Sequence, residues 1–400
     1  MDDRQSRRTH LLSLAALSGV GSLNGCLSGG DSPPDSTPPQ SESTADIPRL
    51  SVDGNRFVTP EERPVTLRGV SIVDPKRGNT TPYRGRSTAD IVDLFTDAAA
   101  GWHPSVIRIP VQPIDIAEAE RGVAPTPPAF THAQLEHYLT THLDPVIAQC
   151  AEQNVYAIVD FHRHWPDLTW ASETDWTINH PLQTELQLFW ETVAPRYADA
   201  DHVLYEVYNE PRLPGMWGPT SDSAVQAVWQ LFVQFIQPVV EAIRTYTDTV
   251  AIVGSPGWST SPEGALIDPI DGGNIAYSYH IYPGHAVSED EAWGATRPDG
   301  GGVEAVYEAY PLFVTEFGWR DYEHELLGGT TSGFGEPFME WLESHAISWT
   351  AWCGDVWWEP TMFVQGDQPS EWVLRGRDGG SPEDSGVFIK QQLATAADSP

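Results

Sequence analysis

Eight short apolar runs rich in β-branched residues recur along the chain, and helical patterns fill most of the gaps between them. The runs are Thr66–Ile72, Ser105–Pro110, Val155–His162, Val203–Asn209, Val250–Ser255, Ile275–His280, Leu312–Glu316 and Ile347–Cys353. Thr88–Ala100, Leu135–Gln153, Leu182–Tyr197, Ser223–Thr247, Val303–Tyr310 and Gly335–His345 carry the three- and four-residue apolar spacing of helices, and Ser255–Asn274 has room for a short helix only. Strands that read as nearly continuous apolar runs are buried on both faces. Eight of them alternating with helices predict an α/β chain closed into a (β/α)8 TIM barrel, preceded by a small N-terminal hairpin turning at Asp53-Gly54-Asn55. A doubly wound open sheet would carry a dinucleotide fingerprint after its first strand, and Gly69-Val70-Ser71 is not one.

A barrel of this kind does its chemistry at the C-terminal ends of its strands. Here those ends turn polar: Arg108 in the second run, Asp160-Phe161-His162 in the third, Asn209-Glu210-Pro211 in the fourth, His280-Ile281-Tyr282 in the sixth, Thr315-Glu316-Phe317-Gly318 in the seventh and Trp352 in the eighth. Ionisable groups closing otherwise apolar strands cost stability unless they are paired or used. A lone strand-end glutamate is most often a cap or an ion-pair partner. Two, on the fourth and seventh strands, face each other across the barrel mouth and can address opposite sides of one bond. Glycoside hydrolysis needs that arrangement: one carboxylic acid to protonate the leaving oxygen, one carboxylate to attack or stabilise the sugar cation.

With these residues in place, the sequence resembles glycoside hydrolase family 5, a group of retaining barrel glycosidases. The resemblance rests on Val106-Ile107-Arg108-Ile109-Pro110, Asp160-Phe161-His162, Tyr208-Asn209-Glu210-Pro211, Tyr279-His280-Ile281-Tyr282, Val314-Thr315-Glu316-Phe317-Gly318-Trp319 and Trp352, in that order, and spans roughly Leu50 to Lys390. It implies Glu210 as general acid/base and Glu316 as nucleophile. It further implies Asn209 on the sugar 2-hydroxyl, Arg108 and Tyr282 holding Glu316, His162 and His280 orienting the sugar and Glu210, and Trp352 as the platform under the cleaved sugar. The implied activity is an endo-acting retaining hydrolase of β-1,4-glucan needing no cofactor or metal, with β-mannanase as the alternative in the same family. A barrel that binds glycans without cleaving them is the alternative of another class, and the presence of both glutamates argues against it.

Composition narrows the partners. The formal net charge is −34, so a nucleic acid would be repelled. Only Lys76 and Lys390 are lysines, and an acidic, lysine-poor chain fits a halophile, where salt screens self-repulsion. Sixteen tryptophans favour a glycan partner, because indole faces stack on the apolar faces of sugar rings. Trp165, Trp170, Trp176, Trp217, Trp258, Trp357 and Trp358 follow strands on the catalytic side, whereas Trp102, Trp190, Trp229 and Trp341 sit in helical patterns and read as core. His162-Arg163-His164 resembles a metal-binding pair, but it follows the third strand, where barrel metal hydrolases carry it after the first, so no metal is expected.

Residues 1–25 read as an export signal of twin-arginine type, with Arg7-Arg8 ahead of a short apolar stretch and a lipobox-like Leu23-Asn24-Gly25-Cys26. Cys26 is the expected lipidation site, and 26–46 is a polar, disordered tether. The barrel is expected over 47–396. The chain is thus expected to be a secreted monomer, attached to the outer membrane face through a lipid anchor alone. Cys150 and Cys353 are expected as buried thiols, with a disulfide open to an exported protein.

Overall fold

The structure, a computed structural model, describes residues 47–119, 125–163, 169–212, 222–285, 293 and 302–397. The export signal, the tether and Cys26 lie outside the described residues, as do His164, Trp165 and Trp217.

Eight parallel strands close a barrel: β1 (Arg68–Ser71), β2 (Val106–Val111), β3 (Tyr156–Phe161), β4 (Val203–Glu206), β5 (Ala251–Val253), β6 (Ile275–Ile281), β7 (Leu312–Phe317) and β8 (Ser348–Ala351). Each pairs with the next in sequence, and β8 pairs with β1. Every strand falls on one of the eight apolar runs. The largest boundary difference is at β4, which stops at Glu206, although Val207 N–H still donates to Ile252 O at 2.9 Å and Asn209 N–H to Phe161 O at 3.2 Å. The segment leading to Glu210 is therefore tied to β5 through Val207 and to β3 through Asn209 while lying beyond the regular ladder.

Alternation along the strands explains how an apolar barrel carries a polar mouth. Side chains of period two point alternately into the barrel and out to the helices. The inner positions begin apolar, with Val106, Ile158, Leu204, Ile252, Ala276 and Phe313 in one buried cluster. They end in Arg108, Asp160, Glu206, Ser278, His280 and Thr315, all fully buried. Leu50 and Phe57 of the N-terminal hairpin join the apolar cluster and plug the lower end, with Phe57 and Phe313 ring centroids 6.1 Å apart. The outward residues Ile107, Ile109, Val159, Tyr205, Val253, Tyr279 and Val314 belong to the second, larger core beneath the helices.

The stretch expected as one helix over Leu135–Gln153 is three pieces: His132–Tyr138, a wide π-type turn Leu139–Leu143, and Asp144–Glu152. Pro145 has no N–H for the carbonyl four residues back, so the ladder has to shift there. Pro64–Val65 adds a third strand to the hairpin. Past the barrel, an antiparallel pair (Phe363–Gln365 with Trp372–Leu374) and a helix, Ser385–Ala397, pack on its side and were not foreseen. Cys150 and Cys353 are buried free thiols. Among the described residues no helix is long and apolar enough to cross a membrane.

Candidate active site

The barrel mouth is organised around one guanidinium. Arg108 is fully buried, and five acceptor atoms from five residues surround its five N–H donors. Nε donates to Glu206 at 2.6 Å, and Nη1 donates to Glu316 at 3.1 Å and Ser71 at 3.3 Å. Nη2 donates to the Asn209 side-chain oxygen and lies 2.9 Å from Asp160 Oδ2. Burial alone would lower the pKa of this arginine, but Asp160, Glu206 and Glu316 outweigh it and raise the pKa. Arg108 thus fixes Glu316, and by occupying the Asn209 oxygen it turns the amide so that its NH2 is left to donate. That nitrogen is buried and has no partner among the described residues.

Glu316 takes a second hydrogen bond from the Tyr282 hydroxyl. Burial and the neighbouring Glu316 and Glu210 push the Tyr282 pKa well up, so the phenol stays a donor. Thr315 and Glu316 are consecutive, yet both engage groups inside the barrel. The pairing of β7 with each neighbour shifts register here, and such a bulge re-aims a side chain that plain alternation would send outward.

Glu210 meets this array through His280, whose Nδ1 lies 3.0 Å from Glu210 Oε1 and 3.9 Å from Glu316 Oε2. One ligand atom from each of Glu210, His280 and Glu316 falls within 4.8 Å of the others. Oxygens this near each other fit the ~5–5.5 Å carboxyl spacing of a double-displacement pair. Burial disfavours the His280 cation, but Glu316, Glu206 and Glu210 override it and raise the pKa to about 10.

His162 and Trp352 stand to one side. His162 Nδ1 is 2.6 Å from Asp160 Oδ2, which points its ring at the cleft. His162, Trp352 and Trp358 lie parallel within 4–13°, with centroids 5.4, 5.5 and 6.1 Å apart. Three such near-equal spacings do not fit a column, so the rings form a staggered slab. The Trp352 indole N–H donates to Glu359 O at 3.0 Å, and the Trp358 amide donates to Asp355, itself in a buried two-pronged pair with Arg84.

Two cavities meet at Trp352 and Glu359. One, of about 260 Å³, lies over Glu210 and Glu316 and is also lined by Trp258, Tyr282 and His285. The other, of about 360 Å³, is lined by Gln112, Ile114, His162, Arg163, Trp357 and Trp358. Together they make a cleft across the mouth with aromatic walls on both sides of the carboxylates.

All eight site residues expected from the sequence, Arg108, His162, Asn209, Glu210, His280, Tyr282, Glu316 and Trp352, converge here. Among the tryptophans, Trp258, Trp357 and Trp358 line the cleft, and Trp102, Trp190, Trp229 and Trp341 are buried. Trp170 does not line it: it is fully buried and packs on Phe232 and Phe235 of helix Asp222–Arg244. Trp176 is exposed and lines neither cavity. Sequence reasoning missed Glu206, Thr315 and His285. Glu206 carried a readable signal, an acidic residue at an inner position of an apolar strand. His285 carried none.

Comparison with known proteins agrees. The model of the cellulase family, glycosyl hydrolase family 5, matches residues 58–356. The chain is 26% identical over 301 residues to cellulase CelDZ1 of a Thermoanaerobacterium species, covering 72% of this chain and 69% of that protein. It is 28% identical to an endoglucanase of Halalkalibacter akibai over 71% of this chain but 34% of the relative, so it spans about a third of that relative's length. It is 26% identical to endoglucanase E-5 of Thermobifida fusca, with 84% of this chain and 65% of the relative covered. Among solved structures, the β-glucanase SdGluc5_26A of Saccharophagus degradans, in complex with cellotetraose, superposes with a TM-score of 0.64 at 22% identity, over 87% of this chain and 93% of that one. The catalytic domain of T. fusca endoglucanase Cel5A gives 0.62 at 23% identity, over 87% and 97%. With the match spanning most of the barrel and the paired glutamates in place at its mouth, the chain belongs to glycoside hydrolase family 5 and is a glycoside hydrolase.

Proposed function

We propose that the protein hydrolyses internal β-1,4 bonds of a glucan with retention, Glu210 acting as acid/base and Glu316 as nucleophile. The close approach of the two carboxylates, both touching His280, carries this reading. A glucosyl unit on Trp352 places its anomeric carbon over Glu316, which Arg108 and Tyr282 hold in the attacking position. Glu210 delivers a proton to the leaving oxygen and then deprotonates the incoming water. The free Asn209 amide donates to the sugar 2-hydroxyl, a contact that strengthens as charge develops. The acid stands on the leaving-group side, so the cavity beyond Trp352 holds the glycone part of the chain. The names of the relatives, cellulase and endoglucanase, support glucan as the substrate. Reducing-sugar release from carboxymethyl-cellulose, mixed-linkage β-glucan, mannan and xylan, tested side by side, checks it. Release from the glucans first supports the proposal, and release from mannan alone overturns the substrate class while leaving the mechanism standing.

The outer end of the glycone cavity makes a separate prediction. Trp357 is 54% exposed and its ring lies 4.6 Å from that of Tyr83. Trp357→Ala should remove one stacking surface of about 1 kcal/mol. The KM for a long glucan is then expected to rise about fivefold, with kcat nearly unchanged. Equal loss on short and long chains would place Trp357 outside the binding path.

We also infer that the chain is exported and held at the membrane by a lipid on Cys26. The paired arginines, the short apolar stretch and the lipobox-like sequence support this. Detergent-phase partitioning of the mature protein should be lost in Cys26→Ser. A soluble wild type would overturn the inference.

A further inference from the structure

We propose that Glu206 is a positioning residue for proton transfer: acting through the Thr315 hydroxyl, it fixes which nitrogen of His280 holds its permanent proton and thereby tunes the proton held between His280 and Glu210. The proposal rests on Glu210 being the acid/base.

Glu206 closes the inner face of β4, fully buried beneath the cleft. Its Oε2 accepts from Arg108 Nε at 2.6 Å. Its Oε1 accepts from the Thr315 hydroxyl at 2.8 Å and from Ser278 at 3.4 Å. It is the carboxylate that joins the arginine behind the nucleophile to the histidine behind the acid. A carboxylate can only accept, so the single hydroxyl proton of Thr315 points to Glu206. Thr315 Oγ1 can then only accept from His280 Nε2, 2.9 Å away. The Ser278 hydroxyl, beside both Thr315 and Glu206, can turn either way without reversing this direction. Nε2 is thus always protonated, and the exchangeable position of His280 is Nδ1, on the line to Glu210.

The charged groups around His280 come from five strands and their loops. Glu206 and Glu210 come from β4, Glu316 from β7, Arg108 from β2, Asp160 from β3, and His285 from the loop after β6. Burial works against an ionised Glu206, but Arg108 and His280 override it and bring its pKa down to about 2. Burial pushes the Asp160 pKa well up and lowers that of His285 to about 4. Glu206 is therefore a constant negative charge across the working range. Removing a negative charge lowers the proton affinity of every neighbouring group. Without Glu206, the His280–Glu210 pair gives up its proton at lower pH, and the acid form of Glu210 is lost earlier.

The test compares Glu206→Gln and Thr315→Val with wild type on two aryl β-cellobiosides, one with a poor leaving group and one with 2,4-dinitrophenolate, which departs without protonation. In Glu206→Gln the alkaline limb of the kcat/KM profile should move down by about one pH unit. Activity near neutral pH should fall about tenfold or more on the poor leaving group and change little on the dinitrophenyl substrate. Thr315→Val keeps the charge and removes the hydroxyl link, leaving only the 3.5 Å approach of His280 Nε2 to Glu206 Oε1, so it should show the same leaving-group discrimination in weaker form with a smaller shift of the limb. If Glu206→Gln does not fold, judged by near-ultraviolet circular dichroism, the leaving-group ratio of Thr315→Val decides. Equal losses on both substrates with an unmoved limb would overturn the proposal and leave Glu206 as a support for Arg108. The reading of Glu210 is checked separately: Glu210→Gln must itself show the leaving-group discrimination, and if it does not, that reading has failed rather than this one.

Discussion

Glu316→Gln is expected to abolish turnover on glucan and aryl cellobioside alike, by roughly 10⁴-fold or more, the scale on which loss of a covalent nucleophile acts. The isosteric amide retains neighbours at the positions of Arg108 Nη1 and the Tyr282 hydroxyl, so the fold should survive. What disappears is the lone-pair charge that attacks the anomeric carbon. Glu210→Gln should separate from it by substrate: a large loss on glucan, within the ~10²–10⁴ range of general acid catalysis, and a small one on the first step with a dinitrophenyl leaving group. A Glu316→Gln enzyme that still released sugar would mean that the paired glutamates are not the reacting groups.

Arg108→Met is expected to produce the largest loss of stability of any single change at the site. The substitution keeps much of the side-chain length while removing the cation that Asp160, Glu206 and Glu316 all face. Breaking a buried ion pair by removing one partner costs about 3–5 kcal/mol, because the remaining charge is buried without compensation. A melting temperature lower by about 5–10 °C is the expected reading, with activity lost even in the folded fraction. Arg108→Lys should recover part of the stability and little activity, since an ammonium has three donors and no planar fork to reach five acceptors. A thermal midpoint unchanged in Arg108→Met would show that these carboxyls are neutral in the folded protein and that the array does not depend on the guanidinium.

The barrel was legible because burial on both faces leaves an unbroken apolar run, and eight such runs alternate with helical spacing. The mouth was legible for the related reason that the inner column of each strand changes from apolar to ionisable at one end, as in Val106 to Arg108 and Ile158 to Asp160. Glu206 belongs to the same pattern, with Leu204 to Glu206 on the fourth strand making the same change from apolar to ionisable. Glu316 is the residue that alternation hides: Phe313 and Thr315 keep the inward parity, and only the register shift in β7 lets Glu316 turn inward as well, which nothing in a string of residues announces. Trp170 shows the opposite failure. Its place after a catalytic strand suggested the cleft, while its surroundings, Phe232 and Phe235, come from a helix more than sixty residues on and only meet it in three dimensions. Trp358 came out on the cleft because Asp355 and Arg84, distant in sequence, fix the loop that carries it.

The most direct test of the account is the stereochemistry of the first product. Proton NMR of a soluble cello-oligosaccharide, followed during the first minutes after enzyme is added, resolves the anomer released before mutarotation. Carboxylate oxygens of Glu210 and Glu316 within 4.8 Å of each other, with His280 beside both, predict the β-anomer first, through a glycosyl-enzyme at Glu316. Initial appearance of the α-anomer would mean single displacement by water and would contradict the assignment of Glu316 as nucleophile.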